Sequence, residues 1–581
     1  MPPLSRLRAL YRRAGDALPV HAVALALSLY AFLLRLWLLR ERKFDPDEFE
    51  HLHVAWCISR GLLPYRDFFE HHTPWFHFSL APFFRFFHVE TDVSSAFALI
   101  FLARFCMWVF TGALLVATFC LGKQWRDTRT GFTSALLLGN VLMFLEKTLE
   151  IRPDVLSVGF WLACLICVVR AVRGTDAVSA STTTMFALSG ALLGAGVMYT
   201  QKLLFALPGL SFAMLWYVLD SRHRGTFRVR LRHGLCQFIG FCAPVGLTLA
   251  YFAAHHAFRE FVTDNVLLSF RWKVSFPPYD FLQQLVRQNP IFVALAVAGL
   301  MRAFATMFRG QGFQRAEYVS VLSCLGLCGG LFLIPVPYRQ YYLMFLPLGA
   351  VFAAGLLTDT LDGAARVREG HWSRRWGLAV GTVLRGALLT AMLIFTVHMA
   401  KPRVWGARVY PALWGVALLG AGALIWARRR HHALALVLIM SSIYPFQQMH
   451  EAFRRTNTEA LAEIRYVLEH TGPTDTCMDG WTGRGVFRPH AYFFWFLHSE
   501  ARAMLTNDDR RALLAGLESG AIAPTLIFFD RELERVSPGV AAYLREHYGW
   551  VGRGFIWRRK AQRTEESHTS DRTGLLHDAR V

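Results

Sequence analysis

The 581-residue chain has little charge and lacks every compact catalytic signature. Charged side chains make up 18% of it against 54% hydrophobic, where a soluble domain carries about a quarter charged. That deficit excludes an ordinary soluble enzyme and describes a chain whose surface faces lipid. No HExxH, GxSxG or GxxxxGK[ST] occurs, so the usual zinc-protease, serine-hydrolase and P-loop chemistries have no residues to act through. Cys164 and Cys167 form a CxxC inside an apolar run, where thiols behave as small hydrophobes without a route to solvent, and no second CxxC stands at zinc-site spacing. Only Cys57 and Cys477 fall in segments expected outside the membrane; a disulfide between them is open but follows from no spacing rule. There is no internal repeat or heptad. No small-residue cleavage site follows the first apolar run, so the run beginning near Leu18, after Arg6, Arg8, Arg12 and Arg13, reads as a span and not as a cleaved leader.

What is present is apolar length. Runs long enough to cross the hydrocarbon core start near residues 18, 94, 131, 154, 184, 203, 234, 289, 317, 341, 376, 408 and 432, which predicts about thirteen helices. The net charge of +21 suggests nucleic acid at first sight, but the basic residues fall in clusters at the ends of the apolar runs. Lys123, Arg126 and Arg129, then Arg170 and Arg173, then Arg222 to Arg232, Arg302 to Arg315, Arg366 to Arg375 and Arg428 to Arg430 follow the even-numbered helices. They read as topology signals with the N-terminus cytoplasmic, and no nucleic-acid partner is expected. The expected fold class is therefore an all-α polytopic membrane protein with a small C-terminal extracytoplasmic α/β domain. Its membrane domain spans 1–446 with a first extracytoplasmic loop at 40–93, the α/β domain spans 447–559, and the polar tail 560–581 is expected to be disordered.

The first loop carries the richest chemistry. Between Phe44 and Phe84 it holds Asp45, Asp47, Glu48, Glu50, Asp67 and Glu70 with His51, His53, His71 and His72 among many aromatic side chains. A carboxylate in a partly apolar pocket can serve as a general base, because desolvation brings its pKa toward neutrality. Asp47 and Glu48 are candidates for this, and the plain alternative is a solvated acidic turn or a helix cap from Asp45 or Asp47. Asp45 and Asp47 also spell DxD, a pattern that can hold a divalent cation. In LEKTLEIRPDVL, Pro153 reads as the first residue of a helix, which places Asp154 in its first turn, either as a second acid of the site or as a partner of Arg152 or Lys147. Lys202 and Arg339 sit at outside turns and Arg104 about a third of the way down the second helix; each suits an anionic phosphate, and each has an alternative as a snorkelling side chain or a structural ion pair. His72, beside His71, is a further phosphate candidate. Trp75, Phe76, Phe78, Phe83 and Phe84 are expected to seat this loop at the lipid interface.

Four features together resemble the GT-C glycosyltransferases of the protein O-mannosyltransferase and lipid A aminoarabinose transferase type. They are Asp47 and Glu48 soon after the first helix, EHHTPWFHF from Glu70, the RPD of Arg152 to Asp154, and PYRQYYLMFLPL from Pro337. The resemblance covers most of the membrane part and stops near residue 450. It implies a polyprenyl-phosphate-linked sugar as donor and an acceptor hydroxyl of a protein, lipid or envelope glycan on the outer face of the plasma membrane. It implies Asp47 as the catalytic acidic residue and Asp154 as its companion. The family often has Lys-Pro-Pro where this chain has His72, Thr73 and Pro74.

A phosphate leaving group needs no proton donor, so one base and a set of cations suffice, and a single displacement inverts the anomeric centre. No cofactor is required for such a step, with a divalent cation held by Asp45 and Asp47 as an option. The alternative class is a polytopic transporter or lipid flippase; transporters carry internal symmetry and broken helices near the midplane, and neither is evident here.

Overall fold

The computed structural model describes residues 26, 29, 30, 32–173, 180–219, 227–268, 275–308, 315–369, 432, 436 and 456–560. Among them six helices are long and apolar enough to cross a membrane: Val93–Trp125, Pro153–Val172, Ala180–Tyr199, Gln201–Leu219, Phe227–Ala254 and Pro290–Met307. Glu317–Gly330 and Leu346–Thr360 are shorter apolar helices beside them. This is a multi-pass membrane protein. The expected spans from 376, 408 and 432, the first part of the one from 18, and the expected tail beyond residue 560 lie outside the described residues.

The apolar run from 131 does not form one span. It breaks into Thr128–Gly139 and Leu142–Lys147, and Asn289 covers the break: its side-chain oxygen accepts from the Leu142 amide at 3.0 Å and its nitrogen donates to the Asn140 carbonyl at 3.2 Å. Backbone groups freed in an apolar setting must be satisfied this way. Ala180–Tyr199 and Phe227–Ala254 approach until a Cβ on Gly190 or Gly194 would collide with the backbone at Gln237 and Phe241, the small-xxx-small packing that lets helices associate in lipid. The arginines read as topology signals include one paired cluster at the Trp125 end of Val93–Trp125, where Arg126 and Arg129 meet Asp362, and Arg126 and Arg302 meet Asp359.

The first loop is folded into the body of the protein. Pro46–Ser59 is a helix with Asp45 as N-cap, Pro46 at its first position and a capping box closed by Glu48. Its middle is buried on every side, from Phe49 through His51 and His53 to Cys57. Phe76 and Phe84 are buried in the main core, and Trp75 donates to the Thr248 hydroxyl at 2.9 Å. Only Phe83 among the five expected interface aromatics is exposed, so most of this aromatic content packs the loop onto the protein instead of onto lipid.

The C-terminal segment contains the expected sheet. β1 (Cys477–Asp479), β2 (Leu526–Phe528), β3 (Tyr548–Trp550) and β4 (Ile556–Arg559) lie in the order β1-β2-β4-β3, with β1 parallel to β2 and the other pairs antiparallel. The expected start of this domain at 447 lies outside the described residues, but the segment does not stand apart. Ile464, Val486, Phe487, Trp495 and Phe496 share one core with Phe49, Trp56 and Phe84 of the first loop. Phe69 donates its amide to the Phe493 carbonyl at 3.0 Å, and Asn457 reaches the Arg40 carbonyl at 2.6 Å.

Candidate active site

The turn 148–152 and the start of Pro46–Ser59 bring a ring of charge together. Arg152 is its centre: it donates to Asp47 Oδ2 at 2.8 Å and Glu150 Oε2 at 2.9 Å, and its Nε lies 3.7 Å from Asp154 Oδ2. Lys147 joins Asp45 at 3.0 Å to Glu150 at 2.8 Å, and Arg42 reaches Glu150 at 3.0 Å. Lys202 donates to Asp154 Oδ1 at 2.8 Å and lies 4.5 Å from the centre of the Tyr341 ring. The carboxylates Asp45, Asp47, Glu150 and Asp154 are thus matched by Arg42, Lys147, Arg152 and Lys202, which is what allows charges this deeply placed to remain ionised.

Two of the expected site residues are turned to each other. Glu48, fully buried, takes two hydrogen bonds from Arg104, at 2.8 and 2.6 Å, and one from the Ile151 amide at 3.2 Å, while Arg104 also donates to the Leu39 and Arg42 carbonyls. Arg104 lies 3.8 Å from the centre of the Phe44 ring as well. With four of its five N–H groups spent on Glu48 and on backbone, Arg104 is committed to this pair and not to a donor phosphate, and Glu48 is not available as a base. The pair ties the second helix to the first loop, the structural ion pair weighed as the alternative.

Asp47 and Asp45 are the partly exposed carboxylates of the ring, and of the two it is Asp47 that burial leaves readier to take a proton. Burial, and then Asp45 beside it, push its carboxyl above the ordinary range, against Arg152 and Lys147. Its Oδ1 accepts from the Trp481 indole at 3.3 Å, a contact from far along the chain. Burial alone would raise Asp45 too, but Lys147 and Arg152 hold it well below the usual carboxylate range. The DxD pair is therefore occupied by cations on both carboxylates and is a poor metal site. Better ligand geometry lies next door, where Glu50, His71 and His72 offer three ligand atoms within 4.8 Å of one another.

His72 is held by Glu70, which accepts from its ring Nδ1 and its amide, each at 2.7 Å. Burial and then Lys202 push the His72 imidazole down to about 3, so it is neutral and a weak phosphate ligand. Arg339 is about one-third exposed and lies 3.5 Å from Glu146, whose carbonyl accepts from Arg42. Tyr338 donates to Glu500 in the C-terminal segment, and His498 lies 3.5 Å from the same carboxylate. Sequence motifs do not mark Arg152, Glu70, Trp481 or Glu500 as site residues. Arg152 and Glu70 stand inside the RPD and EHHTPWFHF segments, whereas Trp481 and Glu500 carry no local signal.

No protein-family profile and no curated protein matches the chain. Solved structures do. ArnT from Cupriavidus metallidurans bound to undecaprenyl phosphate superposes with a TM-score of 0.55 at 14% identity over 94% of this chain and 97% of that one. The apo form of the same protein gives 0.58 at 14%, over 94% and 98%. The apo oligosaccharyltransferase of Archaeoglobus fulgidus gives 0.50 at 12%, over 94% of this chain and 75% of that chain. At such identities the likeness establishes fold, and the fold shared with these proteins is GT-C, as the sequence resemblance implied.

Proposed function

We propose that this protein is a membrane glycosyltransferase that moves a sugar from a polyprenyl-phosphate donor to an acceptor hydroxyl of a protein, lipid or envelope glycan on the outer face of the plasma membrane. Asp47 takes the proton of the acceptor hydroxyl as that oxygen attacks the anomeric carbon. The carbon–oxygen bond to phosphate breaks with its electron pair leaving on the polyprenyl phosphate, and the anomeric centre inverts. Lys202 and Arg339 face the departing phosphate, and Arg152 holds Asp47 in place. Asp154 orients Lys202, and Trp481 shapes the acceptor side of Asp47. The step requires no cofactor.

One observation carries this reading. Arg152 Nε and Asp154 Oδ2 are buried without a hydrogen-bond partner, 3.7 Å apart, within one charged group that also contains Asp47 and Lys202. Unfilled buried polar atoms are costly, and a functional site is where they persist. The undecaprenyl phosphate in the ArnT structure of the same fold supports the lipid-phosphate donor.

The test is mass analysis of lipid-linked sugars and envelope glycans with and without the gene, followed by assay of the purified full chain with the polyprenyl-phosphate sugar that accumulates. Transfer with release of free polyprenyl phosphate is expected from the wild type and not from Asp47→Asn. Full transfer by that variant removes Asp47 from the mechanism; no lipid-linked sugar accumulating, and no donor consumed, removes the function.

A further inference from the structure

Toward the other end of the Pro46–Ser59 helix, away from the charged ring, His53 and Cys57 stand four residues apart and therefore on one face of the helix. His490 comes to meet them from the C-terminal segment. His53 Nε2 lies 2.9 Å from His490 Nδ1 and 3.5 Å from Cys57 Sγ, and the three ligand atoms all fall within 4.8 Å of one another. His53 and Cys57 are fully buried and His490 is half-buried.

Both imidazoles are held from behind. His53 Nδ1 is 2.9 Å from the Val486 carbonyl, which can only accept, so Nδ1 carries the proton and Nε2 is left with its lone pair toward His490 and Cys57. A carbonyl that accepts from the far ring nitrogen and so fixes the tautomer is the usual support of a metal-binding imidazole. The His53 ring is stacked on Trp495 with centroids 4.0 Å apart and 10° between planes. His490 is pinned to β1 from both sides, the Cys477 amide donating to the Pro489 carbonyl at 2.8 Å and the Ala491 amide donating to the Cys477 carbonyl at 2.9 Å.

From this geometry we infer that His53, Cys57 and His490 form a binding site for a zinc-class divalent cation, which clips the first loop to the C-terminal segment. One thiolate and two imidazoles suit a borderline-soft cation and not magnesium or calcium. Around tetrahedral zinc, a sulfur and a nitrogen ligand stand about 3.5 Å apart and two nitrogens about 3.3 Å. The sulfur distance already matches. The nitrogens sit at hydrogen-bond distance with the His490 Nδ1 proton between them, and a small rotation of the His490 ring opens the gap. Binding releases the Cys57 thiol proton and shifts the His490 proton from Nδ1 to Nε2, leaving a thiolate and two neutral imidazoles on the cation and a fourth position for water. The site is separate from Glu50, His71 and His72, and it does not depend on the proposed transfer reaction.

The experiment uses the purified full chain in detergent, stripped with a chelator and titrated with Zn2+ and with Co2+. The expected result is tight binding at this site, a thiolate-to-cobalt charge-transfer band in the near ultraviolet, and a higher unfolding temperature with Zn2+ than without. His490→Ala and Cys57→Ala should weaken Zn2+ by about a hundredfold or more, beyond the about 10–100-fold typical of losing a group that only hydrogen-bonds to a ligand, whereas His71→Ala should leave the cobalt band in place. Cobalt spectra of the wild type need no variant to fold, so absence of the charge-transfer band overturns the site, as does a band that survives Cys57→Ala. Zinc bound without the band and lost in His71→Ala assigns the cation to Glu50, His71 and His72 and equally overturns it.

Discussion

The two ends of the Pro46–Ser59 helix solve the problem of buried polarity in opposite ways. At its N-terminal end, each carboxylate has a cation against it, and Asp45 and Glu150 are held below the ordinary carboxylate range although burial alone would raise them. Toward its C-terminal end, the ionisable groups are mostly imidazoles, and burial with mutual repulsion keeps His51 and His53 well below their ordinary pKa. The first arrangement keeps charge ready for a reaction that must handle a phosphate; the second discards charge and leaves neutral lone pairs. One helix thus carries an ionic face and a coordinating face, and the two should fail differently when perturbed.

The largest effect should come from the ionic end. Asp47→Asn removes the base while keeping the shape, so transfer should fall about 10²–10⁴-fold. The Asp47 side chain is partly accessible, so unfolding temperature should move little. Full loss of fold instead of activity would place Asp47 with the structural charges. Next comes Arg104→Met, which leaves Glu48 buried without its guanidinium and should cost about 3–5 kcal/mol by thermal or denaturant unfolding. Adding Glu48→Gln should return much of that loss, because the remaining group no longer carries an uncompensated charge. A double variant no better than the single one would break the reading of this pair as a self-contained tie.

Acid sharpens the contrast between the ends. Burial, with Lys202 next in weight, takes His72 down to about 3; burial takes His77, despite Glu70, and His490 down to about 4. In the unfolded chain the same rings titrate near 6.5. Between those values the unfolded state binds more protons, so the contribution of each ring is intact above pH 6.5 and is lost as pH falls. From pH 7 to 5 the loss is about 2 kcal/mol for each such histidine. Glu50 works the other way, since burial and Glu70 raise it and its protonation at lower pH relieves the folded state. The lowered Asp45 and Glu150 do not titrate in this window. Unfolding temperature measured from pH 7 to 5 should therefore drop, and His77→Gln should flatten the drop.

How much of this was legible in the sequence depended on the range of the contact. Pro153 as a helix start, Asp154 in a first turn and the Asp45 cap follow from local rules, and all three hold. The apolar runs from 94, 154, 184, 203, 234 and 289 located the six described spans for the same reason, whereas the run from 131 breaks at 140–141, where a side chain from Asn289 closes a gap that no local pattern announces. The aromatic content of the first loop points to a lipid-facing surface only because composition cannot tell lipid from protein as the apolar neighbour. Its true neighbour is the segment from Phe487 to Phe496, some four hundred residues away in the chain. The same distance hid Trp481 and His490.

Gly483 gives the smallest and most specific test of that long-range contact. Its φ is +77°, a conformation that L side chains resist, and a Cβ there would lie 2.6 Å from Cβ of Phe49. The turn is fixed by Asp479, which accepts from the Gly483 amide at 2.8 Å and the Thr482 amide at 2.7 Å. Gly483→Ala adds left-handed strain of about 1–2 kcal/mol to some overpacking, so stability should fall by about 2 kcal/mol. The consequence for the site is larger than the cost to the fold. Trp481 is two residues earlier, and a turn pushed away from Phe49 carries its indole off Asp47. Transfer should then drop with Asp47 itself intact, and Trp481→Phe, which removes only the N–H, should reproduce the drop without the loss of stability. If Gly483→Ala lowers the unfolding temperature but both variants transfer at the wild-type rate, the ionic end of the helix works without the C-terminal segment, and the contact serves packing alone.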